Sequence, residues 1–459
     1  MNTTKTDKAD MTTGPLARRI FLFSLPLIAS GILQQSFNAV DVAVIGHYSS
    51  NAAIAAVGSN GPIISILVNL FIGIAVGANV VIANYIGEKN ENGVRRSVST
   101  VMIVSILSGL LLLLVGTTLA RPILEAMGAP DDVIGLATRY LRIFFCGMPF
   151  MMIYNFGGSI LRSIGDTPKL FYSLLIATIC NLSLDLLFVA VFDWGVDGVA
   201  WATVIANGVN AGVILFYLNR KPQPYQVSLN VKKWRLSPPD LGKMLRIGIP
   251  SGLQGMVFSI SNIFIQTAIN SYGADAIAGS AVAVTFESYC YYIIAGFCGA
   301  AIAFTGQNYG ARNPERCRRI WAICMVFSVV MTGCANMLLI WQQELSFGLF
   351  TTSTAVMAYA SIRFRDVLIF QCLASSYEIS GAYMRGLGYS MIPMLLTVFG
   401  TCVLRLLWVG IYKGIDDRFG SLLSIYPITW CITGLLVATT AFYVQRKAFR
   451  HLKKEPTAQ

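Results

Sequence analysis

The chain has 459 residues, of which 55% are hydrophobic and only 12% are charged. Soluble domains carry roughly 25% charged residues, so this composition excludes an ordinary soluble protein and indicates an integral membrane protein. The formal net charge of +12 comes from Lys and Arg in short loops and near the C-terminus. That placement is typical of membrane topology and argues against nucleic-acid binding.

Long apolar runs follow one another along the whole chain. They last about 20 residues or more and do not alternate with period two, so they predict membrane-spanning helices and not a barrel. The predicted fold class is an all-α polytopic membrane protein with twelve transmembrane helices in two six-helix pseudo-symmetric lobes. The predicted spans are 20–45, 54–84, 97–120, 133–158, 168–192, 197–219, 243–271, 276–307, 318–343, 359–386, 391–412 and 420–444.

The loops predict the orientation of these spans. Lys and Arg are concentrated in every second connection, for example at Arg96 and Arg319, whereas the alternate loops hold acids such as Asp131 and Asp193. Positively charged loops stay on the cytoplasmic side of the membrane. Both termini are therefore predicted to be cytoplasmic.

The first span contains an unusual polar face. Gln34, Asn38 and Asp41 recur at helical spacing and therefore lie on one side of the helix. A carboxylate in the hydrocarbon layer is costly, and intramembrane acids are functional by default. We therefore predict that this face lines an ion or substrate site.

The sequence repeats itself after about 223 residues, because three landmarks recur in the same order. Six spans are thus duplicated, and an even number of spans gives both halves the same orientation, as in alternating-access carriers. The aligned segments are Pro26–Asn38 with Pro250–Asn262, NYIGEKNENGVRR (84–96) with QNYGARNPERCRR (307–319), and ILRSIG (160–165) with YMRGLG (383–388). The predicted domains are an N-lobe at 1–219, a cytoplasmic linker at 220–242 and a C-lobe at 243–459.

Counting residues from the loops places several polar side chains at one depth. At 1.5 Å per residue, Asp41 and Asp185 lie about 9–12 Å below the outer boundary, and Thr203 lies at nearly the same level. Asn181 is one turn before Asp185. Two close carboxylates in a dry site share a proton, and their oxygens also suit a hard ion. We therefore predict that Asp41, Asn181, Asp185 and Thr203 bind H⁺ or Na⁺, with Asp41 and Asp185 as the Na⁺ ligands.

The second half distributes its charges differently. Ile265 stands at the position equivalent to Asp41, and the acids are Glu287 and Glu378 instead. Arg405 lies in LRLLWV, the counterpart of LDLLFV around Asp185. By depth, Glu287 forms either a structural salt bridge with Arg405 or part of a cation site. Glu378 is predicted to be functional on the intramembrane-charge argument.

Five motifs then identify a family. The chain resembles the multidrug and toxic-compound extrusion (MATE) family over essentially its whole length. The resemblance implies twelve helices in two lobes and ion-coupled export of organic cations across the bacterial inner membrane. The motifs are QQSFNAVDVAVIG (34–46), ILRSIGDTP (160–168), NLSLD (181–185), GVDGVAWAT (195–203) and FTGQNYGA (304–311).

The resemblance carries over to single residues unevenly. The four predicted ion-site residues coincide with the N-lobe site of DinF-type members, and Tyr140 and Asn155 match polar residues around that site. Tyr140 is also favoured by its place at the start of the fourth span. NorM-type members have an acid in the seventh helix, but LQGMVFSISN (253–262) contains none. Glu287 and Glu378 look like the eighth- and tenth-helix acids of other branches.

The function predicted from the sequence is secondary active multidrug efflux by antiport with H⁺ or Na⁺ through alternating access. The expected partners are small-molecule organic cations and the lipid bilayer, with no nucleic acid, and the protein is expected to be a monomer without a cofactor other than the coupling ion. A lipid-linked precursor flippase is the alternative, although few Arg or Lys lie within the spans. A membrane-embedded transferase is disfavoured because no HxxxD, DxD or GxSxG stands in an interfacial loop.

Overall fold

The computed structural model describes residues 10–48, 51–126, 131–220 and 234–454, with some side chains inside these ranges left out. Within these ranges the chain is helical throughout, and no strand occurs. Long apolar runs without charged interruptions satisfy their backbone hydrogen bonds internally, which is why helices form. The predicted all-α fold class is confirmed.

Seven helices occur in the described part of the first half. The sixth, α6, continues without a break into a π-helical segment at Leu186–Val191. The helices are α1 (Leu16–Tyr48), α2 (Asn51–Gly87), α3 (Glu91–Ala126), α4 (Asp131–Cys146), α5 (Met148–Ser163), α6 (Thr167–Asp185) and α7 (Gly195–Asn219).

From residue 234 to residue 454 the structure describes ten further helices, several of them short. A 3₁₀ segment follows α12 at Leu368–Leu373, and a π-helical segment at Val398–Val403 joins α14 to α15. The helices are α8 (Pro238–Asn270), α9 (Ala274–Gly310), α10 (Pro314–Trp341), α11 (Gln343–Gly348), α12 (Thr354–Asp366), α13 (Ala374–Gly386), α14 (Met391–Thr397), α15 (Leu404–Ile411), α16 (Phe419–Leu423) and α17 (Ile425–Lys454).

Two predicted spans are not straight helices. Ten helical stretches in the described ranges are long and apolar enough to cross a membrane, and the pair α4 and α5, bent by 47°, makes an eleventh. The remaining predicted span, 359–386, is divided into α12, the 3₁₀ segment and α13. Charged side chains at Arg363, Arg365 and Asp366 end α12. The apolar pattern therefore located these spans but not their breaks.

The chain forms two compact units whose limits fall inside helices. One unit contains Ala29–Gly252, and the other contains Met11–Ile28 together with Leu253–Gln459. The duplication predicted a boundary in the 220–242 linker instead, and α8 already begins at Pro238. Both unit limits follow shortly after a proline within a helix, Pro26 in α1 and Pro250 in α8.

Close backbone contact explains why the start of α8 belongs to the first unit. A Cβ atom on Gly73 of α2 would lie 2.1 Å from the backbone nitrogen of Gly252 in α8, and one on Gly77 would lie 2.2 Å from the backbone oxygen of Met244. Gly248 is equally close to α2. Glycines four residues apart on both helices allow this approach, a packing mode common in membranes.

The repeat is also visible in the backbone of the loops. Lys89 and Arg312, which are 223 positions apart, both adopt a left-handed conformation with φ of 56° and 58°. Gly165 and Gly388 show the same relation, with φ of 81° and 88°. Positive φ is uncommon for residues other than glycine. The shared values indicate that the duplicated loops keep one backbone geometry.

Candidate functional site

Four helices of the first unit meet in an apolar cluster. It contains Val44 of α1, Tyr140 of α4, Val189 of the segment after α6, and Val199 of α7. Each of these side chains is at most 7% exposed. The cluster therefore holds together the helices that carry the residues of the predicted ion site.

The polar residues of α6 and α7 near this cluster are buried. Asn181 is 1% exposed, Asp185 is 0% exposed and Thr203 is 7% exposed. Asn181 and Asp185 are four residues apart on α6 and so share one face. The Thr203 hydroxyl donates to the carbonyl oxygen of Val199 at 2.9 Å.

The structure describes only some of the predicted site residues on α1. The helical backbone of α1 includes positions 38 and 41. The side chains of Asn38 and Asp41 lie outside the described residues. Gln34 is half-buried one turn earlier on the same helix. Whether Asp41 meets Asp185 stays a prediction.

Tyr140 and Asn155 have different surroundings. Tyr140 is buried in the apolar cluster, and its ring stacks on Phe144 with centroids 5.9 Å apart. Asn155 is half-buried on α5, and its Nδ2 donates to the carbonyl oxygen of Met151 at 2.9 Å. Tyr140 is therefore part of the apolar cluster, whereas the Asn155 amide is bound to its own helix.

In the second unit, Glu287 belongs to a buried ion pair. Its carboxylate accepts from Nε of Arg363 at 2.6 Å and from Nη2 of Arg363 at 3.0 Å, a bidentate geometry. Gln371 also donates to the Glu287 carbonyl oxygen at 2.8 Å. The salt bridge predicted from depth with Arg405 was wrong in its partner, because depth along a helix does not determine which way a side chain points.

Glu378 and Arg405 are not members of that ion pair, although Arg363 and Arg405 both lie over the ring of Tyr426. The Tyr291 hydroxyl donates to Glu378 at 3.3 Å, and the described residues contain no cation within salt-bridge distance of this carboxylate. Arg405 is 3% exposed and lies over the ring of Tyr426, 4.2 Å from its centroid. Glu378 is thus the acid of the second unit that keeps an oxygen available for a cation.

One charged cluster of the first unit was not predicted. Asp240, fully buried at the start of α8, accepts from Nε of Arg96 at 2.6 Å and from the Tyr85 hydroxyl at 2.7 Å. Lys243 donates to the same hydroxyl at 3.1 Å. The sequence signal was a single acid within the otherwise basic 220–246 segment.

A metal site of the usual donor composition does not occur among the described side chains. Within them, no group of three or more His, Cys, Asp and Glu residues lies close enough to hold a metal ion. The Asp41 side chain falls outside these residues. Binding of Na⁺ by Asp41 and Asp185 therefore stays a prediction.

Curated relatives cover most of the chain. It is 28% identical over 387 residues to the "Probable multidrug resistance protein YoeA" of Bacillus subtilis, which covers 83% of this chain and 84% of that protein. It is 24% identical over 347 residues to the "Multidrug export protein MepA" of Staphylococcus aureus, with 76% of each chain covered.

Solved structures share the fold. A multidrug resistance MATE family transporter of the MOP superfamily, solved in an outward-facing conformation, matches with a TM-score of 0.87 and 24% identity. The match covers 99% of this chain and 100% of that chain. At this identity the likeness shows the fold alone, which is the twelve-helix, two-lobe architecture predicted above.

The MatE family model matches the chain twice, at residues 26–187 and 250–409. The two matches begin at Pro26 and Pro250, the prolines that the internal repeat aligned. Together they cover more than half of the chain. The protein therefore belongs to the MatE family, the multidrug and toxic-compound extrusion transporters.

Proposed function

We propose that this protein exports organic compounds, many of them cationic, by antiport with H⁺ or Na⁺ through alternating access. Family membership supports the proposal, as do relatives named for multidrug resistance and multidrug export. These relatives come from bacteria, so we assign the protein to the bacterial inner membrane. The Lys and Arg distribution favours cytoplasmic termini.

The observation that carries the proposal is the register of three helices around the apolar cluster. Three of the four predicted ion-site residues are three or four positions from a member of the cluster, and so about one helical turn away on the same face. Under the predicted topology, α7 runs antiparallel to α1 and α6. The site residue precedes its cluster neighbour on α1 and α6 and follows it on α7, so all three site residues lie on the same side of the cluster. The pairs are Asp41 with Val44, Asp185 with Val189, and Thr203 with Val199.

The chemistry of such a layer suits coupling. Asp185 is fully buried, and a buried carboxylate is stable only when it is protonated or close to a cation. A second carboxylate from Asp41 would leave one shared proton or a Na⁺ bound between them. An ion that enters from outside neutralises the layer and removes its attraction for a cationic substrate. Antiport requires that the coupling ion and the cationic substrate exclude each other in this way.

For the second lobe we assign the substrate cation to Glu378 and not to Glu287. Glu287 is already neutralised by Arg363 in a bidentate pair. Glu378 is half-buried and accepts only the Tyr291 hydroxyl among the described side chains. The aromatic ring of Tyr291 beside a carboxylate also suits a lipophilic cation.

The test uses everted membrane vesicles that contain the protein. Uptake of an ethidium-like dye is followed while a pH gradient or a Na⁺ gradient is imposed separately, which identifies the coupling ion. Asp41→Asn and Asp185→Asn are each expected to abolish gradient-driven uptake at unchanged expression. The amide keeps the shape of the side chain but cannot exchange a proton or carry the charge.

Asp193→Asn is the matched control. Asp193 is exposed in the loop beyond Asp185, and Asn tolerates its φ of 54°. This variant is expected to transport the dye like the parent protein. Undiminished uptake by Asp41→Asn and Asp185→Asn would refute the coupling role, and uptake that ignores both gradients would refute antiport.

A further inference from the structure

Arg405 is a buried cation for which the described residues provide no counter-ion. It lies at the start of α15 and is 3% exposed. Its Nε has no hydrogen-bond partner among the described residues, and the guanidinium lies against an uncharged ring, that of Tyr426. Arginine stays protonated in proteins, so it cannot escape burial by losing its charge. The attraction of a ring face is smaller than the cost of taking a guanidinium out of water.

The acids of the same unit do not supply the missing charge. Glu287 is held by Arg363 at 2.6 Å and 3.0 Å, and Glu378 accepts from Tyr291. The exposed Arg365 and Asp366 neutralise each other. Arg385 donates to the uncharged Gln254 at 2.8 Å. Among the described residues, no carboxylate lies within salt-bridge distance of Arg405.

A pair of threonine hydroxyls lies on the same helix interface as Arg405, about one turn before it. Thr401 precedes Arg405 by four residues, and its hydroxyl is 3.2 Å from that of Thr433. Thr433 follows Tyr426 by seven residues, or two turns of α17, so the contact of Arg405 with Tyr426 and the contact of the two threonines lie along one helix interface. Both threonines are 0% exposed. The interface thus combines a cation with buried hydroxyl donors.

The sequence repeat relates Arg405 to the predicted ion site of the first unit. Arg405 in LRLLWV corresponds to Asp185 in LDLLFV. A π-helical segment lies close to each of the two charged residues but in a different register: Leu186–Val191 follows Asp185 directly, whereas Val398–Val403 ends two residues before Arg405. Such segments are rare and occur often at functional sites. The second unit therefore carries the opposite charge at the aligned position.

We infer that Arg405, with the ring of Tyr426 and the threonine hydroxyls, forms a site for one small monovalent anion, either a halide or a carboxylate. Arg363, over the same ring, is already paired with Glu287, so Arg405 supplies one unbalanced positive charge, which favours a monovalent anion. The site does not depend on the proposed antiport, because its argument uses only contacts within the second unit.

Iodide provides a direct probe of this site. Iodide quenches tryptophan fluorescence, and the buried Trp430 ring lies 5.8 Å from Tyr426 between centroids. The purified full-length protein is titrated with iodide at constant ionic strength, balanced with sodium sulfate. The parent protein is expected to show a saturable quenching component, which Trp430→Phe reduces. Displacement by chloride assigns the site to halides, and displacement by formate assigns it to carboxylates.

Arg405→Gln is expected to remove the saturable component. Arg365→Gln, which removes an exposed arginine of the same unit, is expected to keep it. Arg405→Lys preserves the charge and guards against a misfolded Gln variant; it is expected to bind iodide about tenfold more weakly, because an ammonium cannot stack flat on the ring. Purely linear quenching in the parent, a saturable component in Arg405→Gln, or unchanged affinity in Arg405→Lys would overturn the inference. Vesicle transport tests the antiport separately.

Discussion

Removing one partner of the buried pair between Glu287 and Arg363 gives the sharpest test of the second unit. Arg363 is 4% exposed and Glu287 is 9% exposed, and two charge-assisted hydrogen bonds join them. Arg363→Met keeps most of the side-chain volume but leaves the carboxylate buried without its cation. The change therefore isolates the electrostatic part of the pair.

The expected cost follows from that burial. Breaking a buried pair on one side destabilises a protein by about 3–5 kcal/mol, because the remaining charge stays desolvated. Removing both charges together, in Glu287→Leu with Arg363→Met, is often nearly neutral. The double variant should therefore recover most of the stability that the single variant loses.

Thermal unfolding of the purified protein in detergent measures the effect. We expect Arg363→Met to lower the midpoint by roughly 5–10 °C. Arg365→Met is the matched control two residues further along α12, since its pair with Asp366 is solvent-exposed and such pairs contribute about 0–1 kcal/mol. If Arg363→Met and Arg365→Met lowered the midpoint by equally small amounts, the pair would not be structural. Glu287 would then again be a candidate cation ligand.

Two further predictions concern the first unit and use the same thermal midpoint. Gly252→Ala is expected to cost about 1–3 kcal/mol by overpacking, since its Cβ would lie 2.5 Å from the Leu70 carbonyl oxygen. Gly242→Ala on the same helix, with no atom within 4 Å of the new Cβ, should be neutral or stabilising, and equal losses would contradict the packing argument. Asp240→Leu is expected to cost about 1–3 kcal/mol, because the Tyr85 hydroxyl loses its acceptor while the half-exposed Arg96 returns to water; an unchanged midpoint would show that the cluster is only a surface pair.

Most of the helical plan could be predicted because each span carries its own signal. An apolar run is readable wherever it occurs, and the repeat at 223 residues aligns Pro26 with Pro250 by residue identity alone. The breaks within the spans were harder to predict from the sequence. The bend between α4 and α5 and the division of the tenth span depend on how neighbouring helices satisfy the freed backbone groups.

The candidate sites show the same limit at the level of single residues. Asn181, Asp185 and Thr203 are buried, and the polar layer that depth counting predicted for them stays a prediction. Depth counting failed for the partner of Glu287, because it gives height along the membrane normal but not rotation about the helix axis. Arg363 has both the height and the rotation that bring its side chain to Glu287, whereas Arg405 faces Tyr426.

By itself, the sequence determined the membrane class, the helical architecture, the duplication and the intramembrane acids, because hydrophobicity, charge and repeats are properties of the chain read in order. Only the tertiary structure decided which side chains meet. It joined the start of α8 to α2 through glycines, paired Glu287 with Arg363, and left Arg405 buried against a ring. Those outcomes depend on helix rotation and on contacts between distant segments, which no local pattern encodes.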